Sequence, residues 1–292
     1  MFGLALKKYW DTATIRVTKG RKIRIIVKGE WSERVSRDPS RNSAGPPARA
    51  LLRRAKLRRG LEITIEKNVP PGLGLGSSGA SAAACTRCLN HILETGLSDE
   101  ELVRTASLGE KAVSGNAHAD NVAASLLGGF VIVYDDPVKV VRITPPKGLS
   151  VVVVSPMLPL PENKTRLARR LVPKNLTVPK AVLNIGRASA IASGFVMKDV
   201  ARIGSGMHDE IAEPFRERLI PGYRRVKEEA LRANAAGVSI SGAGPSVIAL
   251  VDRKRFDPRR VANVMVASFR LNSVKSRCFI TEAAPAARIV GS

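Results

Sequence analysis

One stretch limits what this chain can fold into more than any other: Pro70-Pro-Gly-Leu-Gly-Leu-Gly-Ser-Ser-Gly-Ala80. Before it comes Leu61-Glu-Ile-Thr-Ile-Glu-Lys-Asn-Val69, where apolar residues recur at every second position as on a half-buried strand. After it comes Ser81-Ala-Ala-Ala-Cys-Thr-Arg-Cys-Leu-Asn-His-Ile-Leu93, small and apolar at helical spacing. The order is strand, glycine loop, helix. Gly72, Gly74, Gly76 and Gly79 permit positive φ and carry no side chains, so backbone amides can converge on one point. The unpaired N–H groups and positive dipole end of the following helix aim at that same point. Such a loop suits an anion, above all phosphate.

Three phosphate-loop patterns are relevant. Gly74-Leu-Gly-Ser-Ser-Gly79 satisfies the bare G-x-G-x-x-G of dinucleotide-binding folds. That pattern also needs an acidic residue about twenty positions on, at the end of a second strand. Asp99-Glu-Glu101 lies there instead, at the start of a helix. A Walker A loop requires Gly-Lys-Ser/Thr, and no Lys follows these glycines. Taken whole, Pro-x-x-x-Gly-Leu-Gly-Ser-Ser-Gly-Ala resembles the second motif of the GHMP kinases, with every specified position matched.

At 292 residues the chain suits one large domain or two intimately packed ones, and 44% hydrophobic content supplies a core. No apolar run approaches the roughly 18–20 residues that span a bilayer. Met1-Phe-Gly-Leu-Ala-Leu-Lys-Lys8 has no basic segment ahead of its apolar one and no cleavage pattern, so a soluble cytoplasmic protein is expected. Cys85 and Cys88 form C-x-x-C inside a helical stretch with Cys278 alone, which reads as reduced core residues rather than a zinc site. Lys and Arg number 48 against 25 Asp and Glu, a formal charge of +23. Nucleic-acid binding, attraction for polyanionic substrates such as ATP, and an Arg-rich proteome each account for that balance. The charge is spread over the whole chain without an aromatic-rich basic motif, so no nucleic-acid partner is expected.

Along the chain, Thr12–Val17 and Lys22–Lys28 alternate as two strands joined by a Lys-Gly turn. Arg34–Pro47 reads as a polar loop and Ala48–Leu57 as a basic helix ended by Gly60. Ser98-Asp-Glu-Glu101 is a capping box, opening a helix that carries Glu110 and ends near Gly115. Strands are expected at 129–134, 138–143 and 149–155. Helices are expected over 163–171, 180–197, 212–219 and 223–234, with the last two split by Pro221-Gly222. The strands Val238–Ser241 and Val247–Val251 flank Gly242-Ala-Gly-Pro-Ser246; a helix over 258–270 and a strand over 276–280 close the chain. Mixed strands with late helices make this an α+β protein.

Three clusters beyond the loop carry candidate chemistry. Ser239-Ile-Ser-Gly-Ala-Gly-Pro-Ser246 is by itself a hairpin turn; beside the first loop it resembles the third GHMP motif, which approaches the nucleotide phosphates. Glu110 by itself is a solvated helix residue; phosphoryl transfer needs a cation on the β- and γ-oxygens, and the Ser78 hydroxyl with one carboxylate suits Mg²⁺. Ser114-Gly-Asn-Ala-His-Ala-Asp-Asn121 gathers polar groups that are costly to bury unless they bind something or one another.

Here the resemblance narrows. His118-Ala-Asp-Asn-Val-Ala123, Thr165-Arg-Leu-Ala-Arg-Arg-Leu-Val-Pro173 and Glu213-Pro-Phe-Arg-Glu-Arg-Leu-Ile-Pro-Gly-Tyr223 are similar to segments of the homoserine kinases within the GHMP group. Arg169 and Arg216 suit bidentate capture of an amino-acid carboxylate, or are two arginines among many on solvated helix faces. The resemblance spans nearly the whole chain. It implies a GHMP kinase fold, with a ribosomal S5 domain 2-like ATP-binding domain over 1–145 and a ferredoxin-like domain over 146–292. It implies that Pro70, Pro71, Gly72, Leu73, Gly74, Leu75, Gly76, Ser77, Ser78, Gly79 and Ala80 wrap the ATP phosphates, with Asn42 near the adenine. It implies Mg²⁺ at Ser78 and Glu110, and L-homoserine at His118, Asn121, Thr165, Arg169, Arg216, Gly242 and Gly244. The same likeness implies that Asn121, Asp120 and Arg169 are the catalytic residues, with Asn121 positioning the attacking hydroxyl and Asp120 open to a role as base or orienter. A homodimer acting in threonine biosynthesis follows from the same likeness.

One departure stands out. Homoserine kinases open with a strand and a Ser-Ala-Asn-Leu-Gly-x-Gly-Phe-Asp segment ahead of a Phe-Gly-Leu like that at Phe2, and this sequence begins at the latter. The expectation is a start placed too late, with weak activity and an exposed sheet edge in the chain as it stands. Two rivals remain at this level: another GHMP kinase of shikimate or mevalonate type, and a basic nucleic-acid-binding protein with an S5-like fold.

Overall fold

The computed structural model describes residues 1–115, 119–159, 161 and 164–291, in two compact units. The first comprises Met1–Pro71, Gly76–Arg142 and Ala284–Ser292; the second comprises Gly72–Leu75 and Ile143–Ala283. The units are therefore not two consecutive halves. The chain's last segment returns to the first unit, where the Ala284 amide donates to Ala5 O at 2.9 Å and Ala287 N–H to Leu126 O at 3.1 Å.

The first unit contains β1 (Phe2–Leu4), β2 (Thr12–Thr18), β3 (Ile23–Lys28), α1 (Gly45–Arg54), β4 (Gly60–Glu66), α2 (Ser77–Ile92), α3 (Asp99–Ser114), α4 (Ala119–Leu127), β5 (Phe130–Val133) and β6 (Val140–Ile143). The alternation at Leu61, Ile63 and Ile65 makes β4 the centre of a sheet ordered β2-β4-β3, with these side chains 0–1% exposed. Each is worth about 2 kcal/mol of burial. β2 and β3 are joined by a turn yet do not pair: β4 lies between them, antiparallel to β2 and parallel to β3. Gly60 makes this arrangement possible, since a Cβ there would come within 2.5 Å of Lys22 O and 2.6 Å of Thr18 Oγ1 in the arching turn. The turn is fastened by Leu61 N–H on Lys22 O at 3.1 Å. A second sheet is ordered β1-β5-β6.

α1 begins three residues before the expected Ala48, because Pro46 and Pro47 occupy the first turn, where no amide hydrogen is needed. Ser98 caps α3 by accepting from Glu101 N–H, while the Glu101 carboxylate accepts from Ser98 N–H at 3.0 Å; Gly115 in the left-handed region ends the helix. Ala82, Ala83, Cys85 and Leu89 of α2 are buried with Leu102, Val103 and Ala106 of α3 in one core.

The second unit contains β7 (Leu149–Pro156), α5 (Lys164–Arg170), α6 (Val178–Met197), α7 (Val200–Ser205), α8 (Glu213–Arg216), α9 (Tyr223–Arg232), β8 (Gly237–Ile240), β9 (Val247–Asp252), α10 (Pro258–Leu271) and β10 (Ser276–Thr281). Its sheet is ordered β10-β7-β9-β8, all antiparallel. Strand, helices, hairpin, helix and strand in that order make a ferredoxin-like split βαβ. β7 reads as a continuous run of valines because it is central and covered on both faces. Val152, Val154, Tyr223, Val226, Met265 and Phe269 form the core beneath α9 and α10. α7 is a helix the sequence reading did not anticipate; Asp199 caps it by accepting from Arg202 N–H at 3.0 Å. Among the described residues, no helix is long and apolar enough to cross a membrane.

Replacing Ser98 by Ala removes one half of the reciprocal cap and should cost about 1 kcal/mol. The expected result is a lower urea midpoint with an unchanged m-value.

Candidate active site

The helix after the glycine loop starts at Ser77, four residues earlier than its apolar pattern indicates, with Gly76 at φ 70° as its first cap. The first intrahelical bond is Ala80 N–H to Gly76 O at 2.9 Å, so the amides of Ser77, Ser78 and Gly79 precede the ladder. Neither a side-chain cap nor an acidic residue occupies this first turn. Residues 72–75 are held within the second unit: Ser241 Oγ donates to Gly74 O at 2.8 Å, and Ser246 N–H to Leu73 O at 3.3 Å. Gly74 sits at φ 79°, and a Cβ on it would overlap the Ser241 carbonyl oxygen. Leu73 and Gly74 of one glycine motif are thus hydrogen-bonded by Ser246 and Ser241 of the other, Ser241 standing 167 residues on from Gly74.

In the first unit, α4 carries Asp120 and Asn121 in its first turn. A Cβ placed on Gly76 would be 3.2 Å from Asn121 Oδ1, and one on Gly79 would be 3.1 Å from Asn121 Cβ, so Asn121 lies directly against the start of α2. Asp120 Oδ1 is buried without a hydrogen-bond partner among the described residues. His118 lies outside the described residues.

Glu110 on α3 is 4% exposed, and its charge is felt by Lys67. Among the described residues no three His, Cys, Asp or Glu side chains converge on one point. Mg²⁺ does not need such a cage, being held by one or two carboxylates with phosphate and water oxygens. A buried carboxylate on α3 and the Ser78 hydroxyl opening α2, on helices packed against each other, offer the right hard donors. Asn42 is 1% exposed; its Nδ2 donates to Ser36 O at 2.6 Å and its Oδ1 accepts from Ala44 N–H at 2.9 Å. These bonds fix the entry to α1, a structural task that the sequence reading did not assign to it.

In the second unit, the turn between β8 and β9 has its carbonyls faced by two cations. Arg216 Nη1 donates to Gly242 O at 3.0 Å and its Nε to Ala168 O at 3.2 Å, tying α8 to α5 and to the turn. Lys164, 7% exposed, donates to Ala243 O at 3.3 Å and to Gly244 O. Thr165 and Arg169 are one turn apart on α5 and so share a face. Burial lowers the pKa of Arg216 from its usual value and the nearby Arg169 adds to this, against the pull of Asp209. Two guanidinium groups in mutual repulsion and partly out of water favour an anion between them. In the sequence Lys164 is one lysine among many; its only local signal is its place beside Thr165.

Comparison with known proteins gives the family. The model for the GHMP kinase N-terminal domain matches residues 44–129, and that for the GHMP kinase C-terminal region matches 188–270. A homoserine kinase of Haloarcula marismortui is 40% identical over 281 residues, covering 96% of this chain and 91% of the relative. The chain belongs to the homoserine kinase branch of the GHMP kinases. A homoserine kinase of Aeropyrum pernix is 38% identical, with 99% of this chain and 92% of the relative covered. The crystal structure of homoserine kinase from Cytophaga hutchinsonii superposes with a TM-score of 0.88 at 33% identity, covering 96% of this chain and 88% of that one. The α+β expectation, with the GHMP kinase fold, is borne out.

Gly74→Ala should loosen the loop from Ser241, lowering the melting temperature and weakening nucleotide binding at least about tenfold, both read by calorimetry. Burial, then Arg216, pushes the Lys164 ammonium down to about 8 from 10.5. The folded state therefore binds fewer protons than the unfolded chain between those values, and this group makes stability rise with pH across that window. Unfolding free energies measured from pH 7 to 10 should rise for the wild type relative to Lys164→Met.

Proposed function

We infer that this protein transfers the γ-phosphoryl group of ATP to the side-chain hydroxyl of L-homoserine, giving O-phospho-L-homoserine and ADP, a step toward threonine. The observation that carries this reading is the glycine loop at 70–80 opening α2 with no side-chain cap among the described residues, in a chain whose near-full-length relatives are homoserine kinases. In this reading residues 70–80 hold the triphosphate and Asn42 lies toward the adenine. Arg169 and Arg216, with His118, take up the homoserine carboxylate and amine, beside Gly242 and Gly244. Asn121 orients the hydroxyl, and Thr165 faces the transferred group. The hydroxyl oxygen bonds to the γ-phosphorus as the bond to the ADP oxygen breaks, and the hydroxyl proton passes to Asp120 or to solvent. Such chemistry depends mainly on positioning and charge stabilisation. Mg²⁺, held by Ser78 and Glu110, would neutralise the β- and γ-oxygens when bound.

We take the protein to act as a cytoplasmic homodimer. Support for a dimer comes from α6, where Val178, Val182 and Ile185 are 75%, 61% and 67% exposed along one helical face.

The decisive experiment is coupled ADP release with homoserine, shikimate and mevalonate in parallel. Turnover with homoserine is expected, and faster turnover of either rival substrate would refute the reading. Arg216→Lys should raise the KM for homoserine at least about tenfold with the KM for ATP little changed, because a bidentate fork becomes a point charge. Glu110→Gln should shift the Mg²⁺ dependence of turnover to higher concentration.

A further inference from the structure

Within the first unit, a buried polar cluster underlies the two ends of the 70–80 loop, and its Asp11, Lys67 and Ser81 take no part in the chemistry above. Lys67, just beyond β4, is 1% exposed, and the Asp11 side chain is 0% exposed. Lys67 Nζ donates to Asp11 Oδ2, to Ser77 O at 2.6 Å and to Ser81 Oγ at 2.9 Å. Asp11 Oδ1 accepts from the amides of Asn68 and Val69, both at 2.9 Å, and Oδ2 from the Ser81 hydroxyl at 2.7 Å. The Ser77 hydroxyl donates to Val69 O at 2.7 Å. Residues 67–69, which enter the loop, Ser77 near its end and Ser81 just after it are thus bound to one carboxylate and one ammonium.

The two charges have different tasks. The carboxylate satisfies two backbone amides that would otherwise be buried without partners. Alone, though, a negative charge at the start of α2 would repel the anion that the loop is shaped to hold. The ammonium cancels it. Burial lowers the pKa of Lys67, and Asp11 and then Glu110 act against that shift, so the ammonium depends on carboxylates to stay charged.

We propose that Lys67 is a positioning residue for nucleotide binding, neutralising Asp11 beneath the loop so that the amides of Ser77, Ser78 and Gly79 present a positive potential to a triphosphate. This deepens, and rests on, the reading of 70–80 as the ATP loop. A purely structural staple would alter stability without altering affinity selectively, which separates the two roles.

The test compares wild type with Lys67→Met, Asp11→Asn, the double variant Asp11→Asn/Lys67→Met, and Val103→Ala as a destabilised control that removes apolar core contacts and no charge. Calorimetry reads Mg·ADP affinity, and steady-state kinetics reads both KM values. Lys67→Met should weaken Mg·ADP binding and raise the KM for ATP about 30-fold while the KM for homoserine stays within about threefold. The double variant, again neutral, should recover most of the affinity, and Val103→Ala should lose stability alone. If Lys67→Met fails to fold, Asp11→Asn decides: with the negative charge removed it should bind Mg·ADP at least as tightly as wild type. Affinity unchanged in Lys67→Met, a double variant binding no better than Lys67→Met, or weakened binding in Asp11→Asn would each overturn the proposal. Wild-type protein that takes up no nucleotide would instead overturn the loop reading itself.

Discussion

A helix that begins on a left-handed glycine leaves its first amides without partners, and most of what surrounds α2 answers that unmet demand. Gly76 turns the chain so abruptly that Ser77 is already helical, and its neighbours supply neither a capping side chain nor an acid. Ordinary helices resolve this shortage within a residue or two, as Ser98 and Glu101 do for α3. At α2 no described side chain caps the first turn, which is unfavourable for stability and suits an anion: the amides and the helix dipole are already set in place.

Keeping the shortage open requires the rest of the loop to be over-determined. Its far side is pinned by Ser241 and Ser246 on the Leu73 and Gly74 carbonyls. Its ends are drawn together by Asp11, Lys67, Ser77 and Ser81. A buried ion pair is seldom a net source of stability, because both charges lose their water. Here the pair carries a geometric burden instead, since one carboxylate holds two consecutive amides and one ammonium reaches across the loop. The same logic applies around the second glycine turn, where Arg216 and Lys164 occupy carbonyl oxygens of Gly242, Ala243 and Gly244. Cations spent on carbonyls become rigid, and a rigid cation loses little entropy on meeting an anion.

Some of this was readable residue by residue. The β4 alternation, the capping box at Ser98 and the loop composition are local signals, and local signals survive in one dimension. The strand order β2-β4-β3 was not, because a short turn from β2 to β3 suggests a hairpin; only the absence of a side chain at Gly60 hints that the turn passes over another strand. The early starts of α1 and α2 were obscured for a related reason. Proline and glycine signal a break, and at a helix's first turn they signal its beginning.

The kind of chemistry is legible in one dimension: a strand, a glycine loop and a helix suit an anion, and the spelling of the motif matches that of the chain's kinase relatives. Tertiary structure alone decided which charges serve that purpose. Asp11 and Lys67 lie 56 residues apart, and the Arg216 guanidinium and Gly242 carbonyl lie 26 apart. In a chain with 48 basic residues no single cation stands out until burial removes water from a few of them. Desolvation is a property of the packed molecule, and it is what turns one lysine or arginine among many into a group with a task.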